Sequence, residues 1–586
     1  MRVRKSHELG PRKKQKLGLA LSGGGFRASL FHLGVLARLA ERDLLRSVEV
    51  LSTVSGGSII GALFYLHLKK LLESSPDKKI PPDAYVSMVR EMERSFVRSV
   101  QCNLRVRAYA DFPKNWRMIY DRSYSRSDRM AELYDEYFYN PVAPRTRVPL
   151  NALRIQPLRA PRNFHPHRHN QTRRNKVPIL LINATTLNTG RSWQFTAVDA
   201  GEREGETESE RTRSDAYDKN TLLSVFRYDD EGVPPKYRAI PLSIAVAASA
   251  CVPGIFTPLP LTDLYANVTP KLVDGGLYDN QGISGLLSEE CTLIIVSDAS
   301  GLLPDERTSS SGLAGVLGRS NGVLMDRNRD SGFRLLESMR QGGKITKYAV
   351  LHLQSGLQVE RLKPGDAKTE NSRRMPKRTS YGMNGEAQLR LSSIRTDLDC
   401  FSDTEAYSLI YSGYAMTEKA IPYSWTALTG ADTTFTKKID LEERPKWAFE
   451  AIRDVASRES LNSSYGKLLH IGAKRLFKAY RLAPWLVPVG ILIGLCGLVI
   501  PVVLFAVLWY LVPGAWIVLS LLAVSSLLAV LIVPYLGSSH RRNMSEEFFL
   551  RYIVSSAVAL SGSVIAKLHL RLVEPVFLRH GKITRG

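Results

Sequence analysis

The first residues in this sequence that could do chemistry are a serine and the two glycines that follow it. In "VEVLSTVSGGSIIGALFYL", Val48–Leu66, a β-branched run leads into Ser55, Gly56 and Gly57, and a helical pattern begins there. A serine on a sharp turn between a strand and a helix presents its hydroxyl as a nucleophile. Thr53 stands where the usual G-x-S-x-G pattern has its first glycine. An ordinary helix N-cap is the alternative interpretation of Ser55.

A second strand–turn–helix pattern carries three consecutive glycines. In "LGLALSGGGFRASLFHLG", Leu17–Gly34, the glycines Gly23, Gly24 and Gly25 separate an apolar run from a helical one. Such a loop directs backbone N–H groups and the helix dipole at a negative group, either a nucleotide phosphate or a reaction oxyanion. No Lys-Ser or Lys-Thr pair completes a Walker motif, and Ala28 occupies the last glycine position of the dinucleotide pattern. We therefore expect the glycines to bind an oxyanion.

A third pattern places an acid at the end of a short apolar run. In "KLVDGGLYDNQG", Lys271–Gly282, Asp274 is followed by Gly275 and Gly276. An ordinary Asp-Gly turn is the alternative interpretation. Because parallel strands present their following loops at one edge of a sheet, we expect Asp274 to lie near the serine and the glycine loop. A carboxylate at that place could act as a general base.

Together these three patterns resemble the patatin-like phospholipases, an α/β family with a Ser–Asp dyad and no histidine in the triad role. The segments that resemble its oxyanion, nucleophile and aspartate motifs are "SGGGFRA", "TVSGG" and "VDGG". The Phe26-Arg27 form of the first motif is also similar to the cytosolic phospholipase branch. The resemblance covers roughly Leu17 to Ala420, and further similar segments are Ile182–Phe195, Ala248–Pro258 and Ser412–Glu418.

The resemblance implies a serine lipid acyl hydrolase that needs no cofactor and no metal. Ser55 would attack an ester carbonyl to form an acyl-enzyme, and Asp274 would take the serine proton. Arg27 would hold the loop or bind a substrate phosphate, with an ordinary exposed helix residue as the alternative. The expected oxyanion and motif glycines are Gly23, Gly24, Gly25, Gly56, Gly57, Gly275 and Gly276. Thr53 and Ala28 keep a catalytically dead membrane scaffold open, and an acyltransferase would use the same site.

The elements that must position these residues predict an α/β fold. Apolar runs of strand length alternate with helical patterns, which indicates a three-layer sheet with helices on both faces. We expect a catalytic domain over residues 17–460. Its polar insertions, expected as surface loops or disorder, are at about 160–175, 200–218, 304–334 and 363–381. The sequence "SDTE", Ser402–Glu405, predicts a capping box that opens a helix.

The charge of the chain favours an anionic partner. There are 80 Lys and Arg residues against 56 Asp and Glu residues, for a formal net charge of +24, and residues 1–16 form a basic arm. Such a surplus suits nucleic acid or an anionic membrane surface, but no nucleic-acid recognition motif is present. The five scattered cysteines indicate reduced thiols. The histidines of "HPHRH", His165–His169, are expected in a solvated loop rather than in a metal site.

The C-terminal third indicates a membrane anchor. No charged residue occurs from Leu482 to Gly537, which is long enough for two spans. We expect a transmembrane hairpin over residues 484–537, formed by Trp485–Tyr510 and Ala515–Leu536, with a buried hairpin of a soluble core as the alternative. Basic residues in 461–483 and at His540–Arg542 place the catalytic domain and both termini on the cytoplasmic side.

A shorter apolar run, Tyr552–Ala566, lies in the C-terminal helical segment 538–586. Fifteen residues are short for a span, so an interfacial or packing helix is favoured over a third crossing. The resemblance implies membrane lipids as the substrates, and the excess of basic residues favours an anionic membrane surface as the partner. The sequence leaves the oligomeric state, the lipid head group and the acyl position open.

Overall fold

One mixed sheet forms the centre of the molecule. The computed structural model describes residues 15–121, 123–144, 147–203, 223–301, 309, 311–357, 376–429, 447–474, 477–511 and 555–583. Within these residues the strands are β1 (Leu17–Leu21), β2 (Val48–Val54), β3 (Ile179–Thr186), β4 (Ser192–Phe195), β5 (Asp199–Glu202), β6 (Phe226–Arg227), β7 (Leu259–Pro260), β8 (Lys271–Asp274), β9 (Leu293–Asp298) and β10 (Lys347–His352).

The strand order places the predicted site residues at one edge of this sheet. The path is β10-β9-β1-β2-β3-β4-β5-β6, and β8 pairs with β3 and β7. The first four pairings on this path, from β10 to β3, are parallel, and the remaining pairings are antiparallel. Residues 179–183 of β3 pair with β2 and residues 184–186 pair with β8, both on the side of β3 opposite β4. The end of β2, before Ser55, and the end of β8 therefore meet on one side of β3.

Helices surround the sheet. They are α1 (Gly25–Glu41), α2 (Gly56–Ser74), α3 (Pro82–Val100), α4 (Leu104–Ala110), α5 (Phe112–Tyr120), α6 (Arg126–Tyr134), α7 (Pro166–His169), α8 (Leu242–Ser249), α9 (Gly276–Asp279), α10 (Ile283–Ser288), α11 (Leu313–Gln341), α12 (Gly385–Ser392), α13 (Asp403–Ala420), α14 (Ser424–Thr429), α15 (Arg453–Ser457), α16 (Ser463–Gly472), α17 (Lys478–Leu482), α18 (Leu486–Leu511), α19 (Ser555–Leu568) and α20 (Glu574–His580). A π-helical segment, His569–Val573, joins α19 to α20.

Both faces of β1, β2, β3 and β9 are buried, which explains their continuous apolar runs, whereas the edge strand β10 is mostly half-buried. In β1, Leu19 and Leu21 belong to the core formed with α1, α2 and α3. Ala20, between them in sequence, belongs to a second core that includes residues of α10 and α11. Successive side chains of a strand point to opposite faces, so helices cover both sides of the sheet. The predicted mixed α/β fold with a central sheet flanked by helices is confirmed.

Two local predictions have opposite outcomes. The capping box is confirmed, because Ser402 and Glu405 exchange hydrogen bonds at the start of α13. The prediction of a surface loop or disorder over 304–334 is wrong from Leu313 onward, where α11 begins. Most side chains of α11 are exposed, and its polar, glycine-containing sequence therefore lacks the apolar stripe by which a buried helix is recognised.

The C-terminal helices pack against the sheet domain. Helix α18 matches the first predicted span, whereas the second, Ala515–Leu536, lies outside the described residues. Among the helices that the structure describes, one candidate, Ser555–His580, is long and apolar enough to cross a membrane. It contacts α18, α4 and α5, and Asn115 Nδ2 donates to Ser563 Oγ at 2.9 Å. The transmembrane hairpin stays a prediction.

Candidate active site

Ser55 occupies a strained turn between β2 and α2. Its backbone has φ 50° and ψ −116°, a conformation that residues with a side chain adopt at an energetic cost. The Ser55 N–H donates to Ser249 Oγ at 2.9 Å, and that hydroxyl donates to the Asn183 carbonyl at 2.6 Å. These bonds fix the turn to α8 and to β3. The serine is thus held in the geometry of a nucleophile elbow rather than that of an ordinary N-cap.

The elbow accommodates Thr53 in place of glycine. The Thr53 hydroxyl donates to the Leu181 carbonyl at 2.9 Å and accepts a hydrogen bond from Ser58 Oγ at 3.0 Å. A Cβ added at Gly61 would lie 2.5 Å from Thr53 Cγ2, so the threonine methyl uses the space that this glycine leaves. Thr53, which replaces the usual glycine, is therefore accommodated by the close packing of α2 against the sheet.

The glycine loop follows β1 and begins α1. Gly24 has φ 136° and Gly25 has φ 57°, and both line the same cavity as Ser55. A Cβ at Gly24 would lie 2.9 Å from the Ala299 carbonyl oxygen, and one at Gly25 would lie 2.7 Å from the Asp397 carbonyl oxygen. Neither position has space for a side chain. The loop therefore brings backbone, rather than side chains, to the cavity.

Gly23 differs from the other two predicted donors. Its N–H donates to the Asn280 carbonyl at 3.0 Å, and a Cβ at this position would lie 3.2 Å from Ser55 Cβ. Gly23 thus ties the glycine loop to the segment after Asp274. Of the three predicted oxyanion donors, Gly24 and Gly25 have the better placement.

Asp274 ends β8 and lines the cavity with Ser55. Burial raises the pKa of the Asp274 carboxyl to about 6, against the opposing effects of hydrogen bonds from the Gly276 N–H and the Ser55 side chain. The Gly276 N–H lies 2.8 Å from Asp274 Oδ1. A carboxylate with a pKa near the ambient pH can accept a proton and return it, as a general base must.

The remaining motif glycines allow the three turns to approach one another. A Cβ at Gly56 would overlap the Gly25 carbonyl oxygen, and one at Gly57 would overlap the Leu21 carbonyl oxygen. A Cβ at Gly275 would likewise overlap the carbonyl oxygen of Asn183. These positions therefore need glycine because another backbone segment passes against them.

Arg27 lies behind the glycine loop, not in the cavity lining. It is 3% exposed, so the interpretation as an exposed helix residue is wrong. Its guanidinium donates to the Ala299 carbonyl from Nη2 at 2.9 Å and to the Ile394 carbonyl from Nη1 at 2.7 Å. These contacts agree with the expectation that Arg27 holds the loop, and they engage the group that would otherwise bind a phosphate.

The shared cavity has a volume of about 280 Å³. Several lining residues had no role predicted from the sequence, among them Arg105, Asn280, Asn321, Met325, Thr396, Asp397 and Leu398. Asn280 belongs to the quoted "VDGGLYDNQG" segment and could have been found there. The others come from elements far along the chain, and no local pattern connects them with the site.

Among the described residues, no three His, Cys, Asp or Glu side chains are grouped so that they could hold a metal ion. His165, His167 and His169 lie at a short surface helix, and the rings of the first two stack at 5.2 Å.

Comparison with known proteins gives a family for the sheet domain. Residues 19–287 match the family model for patatin-like phospholipase. A comparison with curated proteins finds no match. The matched region contains the glycine loop, Ser55 and Asp274, and it ends before α11. It confirms the resemblance inferred from the three motifs, whereas the likeness to the cytosolic phospholipase branch stays a prediction.

Proposed function

Residues 19–287 match the patatin-like phospholipase family, and on that premise we propose that the chain is a membrane-anchored serine hydrolase of lipid esters. The family acts on lipid acyl esters. The observation that carries the finer proposal is the single cavity lined by Ser55, Asp274, Gly24 and Gly25. A nucleophile, a base and backbone donors at one place are the parts that acyl transfer to water needs.

The reaction begins at the serine hydroxyl. Ser55 Oγ attacks the ester carbonyl carbon while its proton passes to the Asp274 carboxylate. The tetrahedral intermediate then collapses, the bond to the leaving alcohol breaks, and Asp274 returns the proton to that alcohol. Water attacks the resulting acyl-enzyme by the same route in reverse, which releases the fatty acid and restores both residues.

The glycine loop acts on the charge that develops during both steps. The carbonyl oxygen becomes an oxyanion, and the N–H groups of Gly24 and Gly25, at the start of α1, would donate to it. Fixed backbone donors cost no reorganisation when the charge appears. The tight packing against Ala299 and Asp397 supports this role because it limits movement of the loop.

The C-terminal region would hold this site at a bilayer. The uncharged run Leu482–Gly537 is long enough for two spans, and α18 exposes Ile491, Leu492 and Leu495. Basic flanks on both sides support a cytoplasmic catalytic domain and cytoplasmic termini. Protease protection of tags at the two ends tests the topology, and tags on opposite sides of the membrane would contradict it.

Activity and labelling of Ser55 test the enzyme proposal. Wild type, Ser55→Ala and the exposed control Ser288→Ala are treated with a fluorophosphonate probe and with a panel of acyl lipids. We expect labelling and fatty-acid release in the wild type and the control and neither in Ser55→Ala. A wild-type protein that is neither labelled nor active would be a scaffold, and acyl transfer to an added alcohol without fatty-acid release would indicate a transferase.

A further inference from the structure

A second cavity lies between the sheet domain and the C-terminal helices. It has a volume of about 500 Å³ and is bordered by α4, α17, α18, α19 and α20. Carbon-rich side chains form much of its wall, including Val106, Tyr109, Ile493, Ile565 and Phe577. Apart from α4, these elements lie outside the region that matches the family model.

This cavity adjoins the active-site cavity. Arg105 of α4 lines both of them. The loop from Thr396 to Cys400 forms the rest of the division, because residues 396–398 line the active-site cavity and residues 399–400 line the second one. The two spaces are thus separated by one loop and one long side chain, whose aliphatic stem suits an apolar neighbour.

The charged groups at this division pair with one another. Arg105 forms an ion pair with Asp397, and Lys478 Nζ lies 2.8 Å from Asp399 Oδ2. Their charges are balanced locally. Glu574, His569 and Asn103 also line the cavity, and Asn103 Nδ2 donates to Glu574 Oε2 at 2.7 Å. The rest of the wall is largely apolar. Such a cavity favours a hydrocarbon ligand over an ionic one.

The volumes of the two cavities indicate which part of a lipid each of them could bind. The active-site cavity, at about 280 Å³, is smaller than the roughly 300–1,000 Å³ typical of ligand sites. It suits the ester group and the first carbons of a chain. The second cavity, at about 500 Å³, lies within the typical range and shares Arg105 with the first.

We propose that the second cavity binds the acyl chain of the ester cleaved at Ser55, with the chain passing alongside Arg105. The proposal rests on the proposed function and adds a source of chain-length preference to it. The helices α18 and α19 would then take part in substrate selection as well as in anchoring.

Two glycines in the cavity wall allow it to be filled from opposite sides. A Cβ at Gly494 of α18 or at Gly562 of α19 meets no atom within 4 Å. Gly494→Leu and Gly562→Phe therefore add side chains to open space instead of displacing neighbours. The control Val558→Phe enlarges an exposed residue of α19 that does not line the cavity.

The first measurement is kcat/KM for palmitoyl and butanoyl esters of one alcohol, with the full chain in lipid vesicles. We expect each filling variant to lower kcat/KM for the palmitoyl ester by about tenfold or more, since a pocket contact of this kind is worth ~10–200-fold. The butanoyl ester and the control variant should be unaffected. An unchanged chain-length preference in both filling variants would overturn the proposal.

The second measurement does not depend on turnover. Full-length Ser55→Ala in vesicles is photolysed with a phosphatidylcholine that carries a diazirine near the end of its palmitoyl chain. We expect crosslinks to peptides containing Ile493 or Ile565, reduced by Gly562→Phe and unchanged by Val558→Phe. Crosslinks formed only by a free diazirine fatty acid would overturn the assignment to the substrate chain. If the crosslinks form as expected but the wild-type protein hydrolyses none of the esters, the proposed function is rejected and the binding of the acyl chain is retained.

Discussion

The turn after β1 and the turn after β2 have the same layout but present different atoms to the cavity. Each follows a buried parallel strand, contains at least one residue with positive φ and leads into a helix. In the first turn Gly24 and Gly25 have no space for side chains, so only backbone reaches the site. In the second, Ser55 keeps its side chain despite a φ of 50°. The turn after β1 is suited to stabilise a negative charge with its backbone, and the turn after β2 is suited to present a reactive hydroxyl.

This difference predicts opposite sensitivities to substitution. The second turn should lose activity when a side-chain atom is removed, because the hydroxyl oxygen is the reacting group of the proposed mechanism. The first should fail when a side-chain atom is added, because the donors would be displaced from the developing charge. Five predictions test this contrast, beginning with the largest expected effect.

Removal of either member of the dyad should have the largest effect. We expect Ser55→Ala and Asp274→Asn each to lower kcat by at least about 10³-fold, because residues that act as one unit are lost together. The double variant should be little worse than either single one. The measurement is hydrolysis of a soluble butanoyl ester, with Ser288→Ala as control. If the fold decrease in kcat of the double variant equals the product of the two single decreases, the two residues act independently.

Addition of a methyl group at Gly24 should have the next largest effect. We expect Gly24→Ala to lower kcat by about 10²–10³-fold, the usual result of a lost oxyanion donor. Gly190→Ala is a matched control, since Gly190 also has a positive φ, 74°, but open space around it. An unchanged kcat with a raised KM would instead assign the loop to ground-state substrate binding.

The pH dependence of kcat should report the Asp274 carboxyl. Its pKa of about 6 means that it is protonated, and unable to take the serine proton, at lower pH. Activity should therefore rise about tenfold between roughly pH 5 and pH 7 and then level off. A profile that is flat over this range in a pH-stable assay would contradict the assignment of Asp274 as base.

The same raised pKa should appear in stability. A carboxyl whose folded pKa lies above its unfolded value of 3.8 contributes stability that is complete below the unfolded pKa and lost as pH rises through about 6. The loss is on the order of 3 kcal/mol. The Asp274→Asn variant has no carboxyl to ionise and so does not undergo this loss of stability. Its Tm should therefore exceed the wild-type Tm near pH 8 and approach the wild-type Tm near pH 4. Equal Tm differences at both pH values would reject this linkage.

A change at Arg27 should have the smallest effect. Because its guanidinium contacts the backbone behind the glycine loop, we expect Arg27→Lys to lower kcat a few-fold for phospholipids and neutral glycerides alike. Hydrolysis of the two lipid classes is measured side by side. A raised KM confined to phospholipids would show that Arg27 binds the lipid phosphate.

The turns at Ser55 and Asp274, which line one cavity, could be predicted from sequence because their requirements are local. A strand end, a reactive side chain and small neighbours all occur within a few residues of Ser55 and of Asp274. The roles of Arg27, Asn280 and Arg105 depend on distant segments that pack against them. The carbonyls of Ala299 and Ile394, for example, decide that Arg27 is buried, and no pattern around Arg27 contains that information.

The helices differ in the same way. The capping box of α13 is a four-residue signal and was predicted correctly. Helix α11 lacks a periodic apolar face because much of it is exposed, so its sequence resembles a loop. For α19, apolar composition predicted a helix, but its position against α4 and α18 depends on individual side chains such as Asn115 and Ser563.

The position of β1 between β2 and β9 has a consequence for the folding pathway. The chain can pair β1 with β2 early, but β9 completes the other side of β1 only after more than 240 further residues have been added. Such non-local parallel pairing is slow. Ser55 and the glycine loop therefore exist on a partly assembled sheet before Asp274 joins them through β8. Recovery of esterase activity during refolding should lag behind recovery of helix, and the nascent chain should be unable to cleave lipid until its sheet is nearly complete.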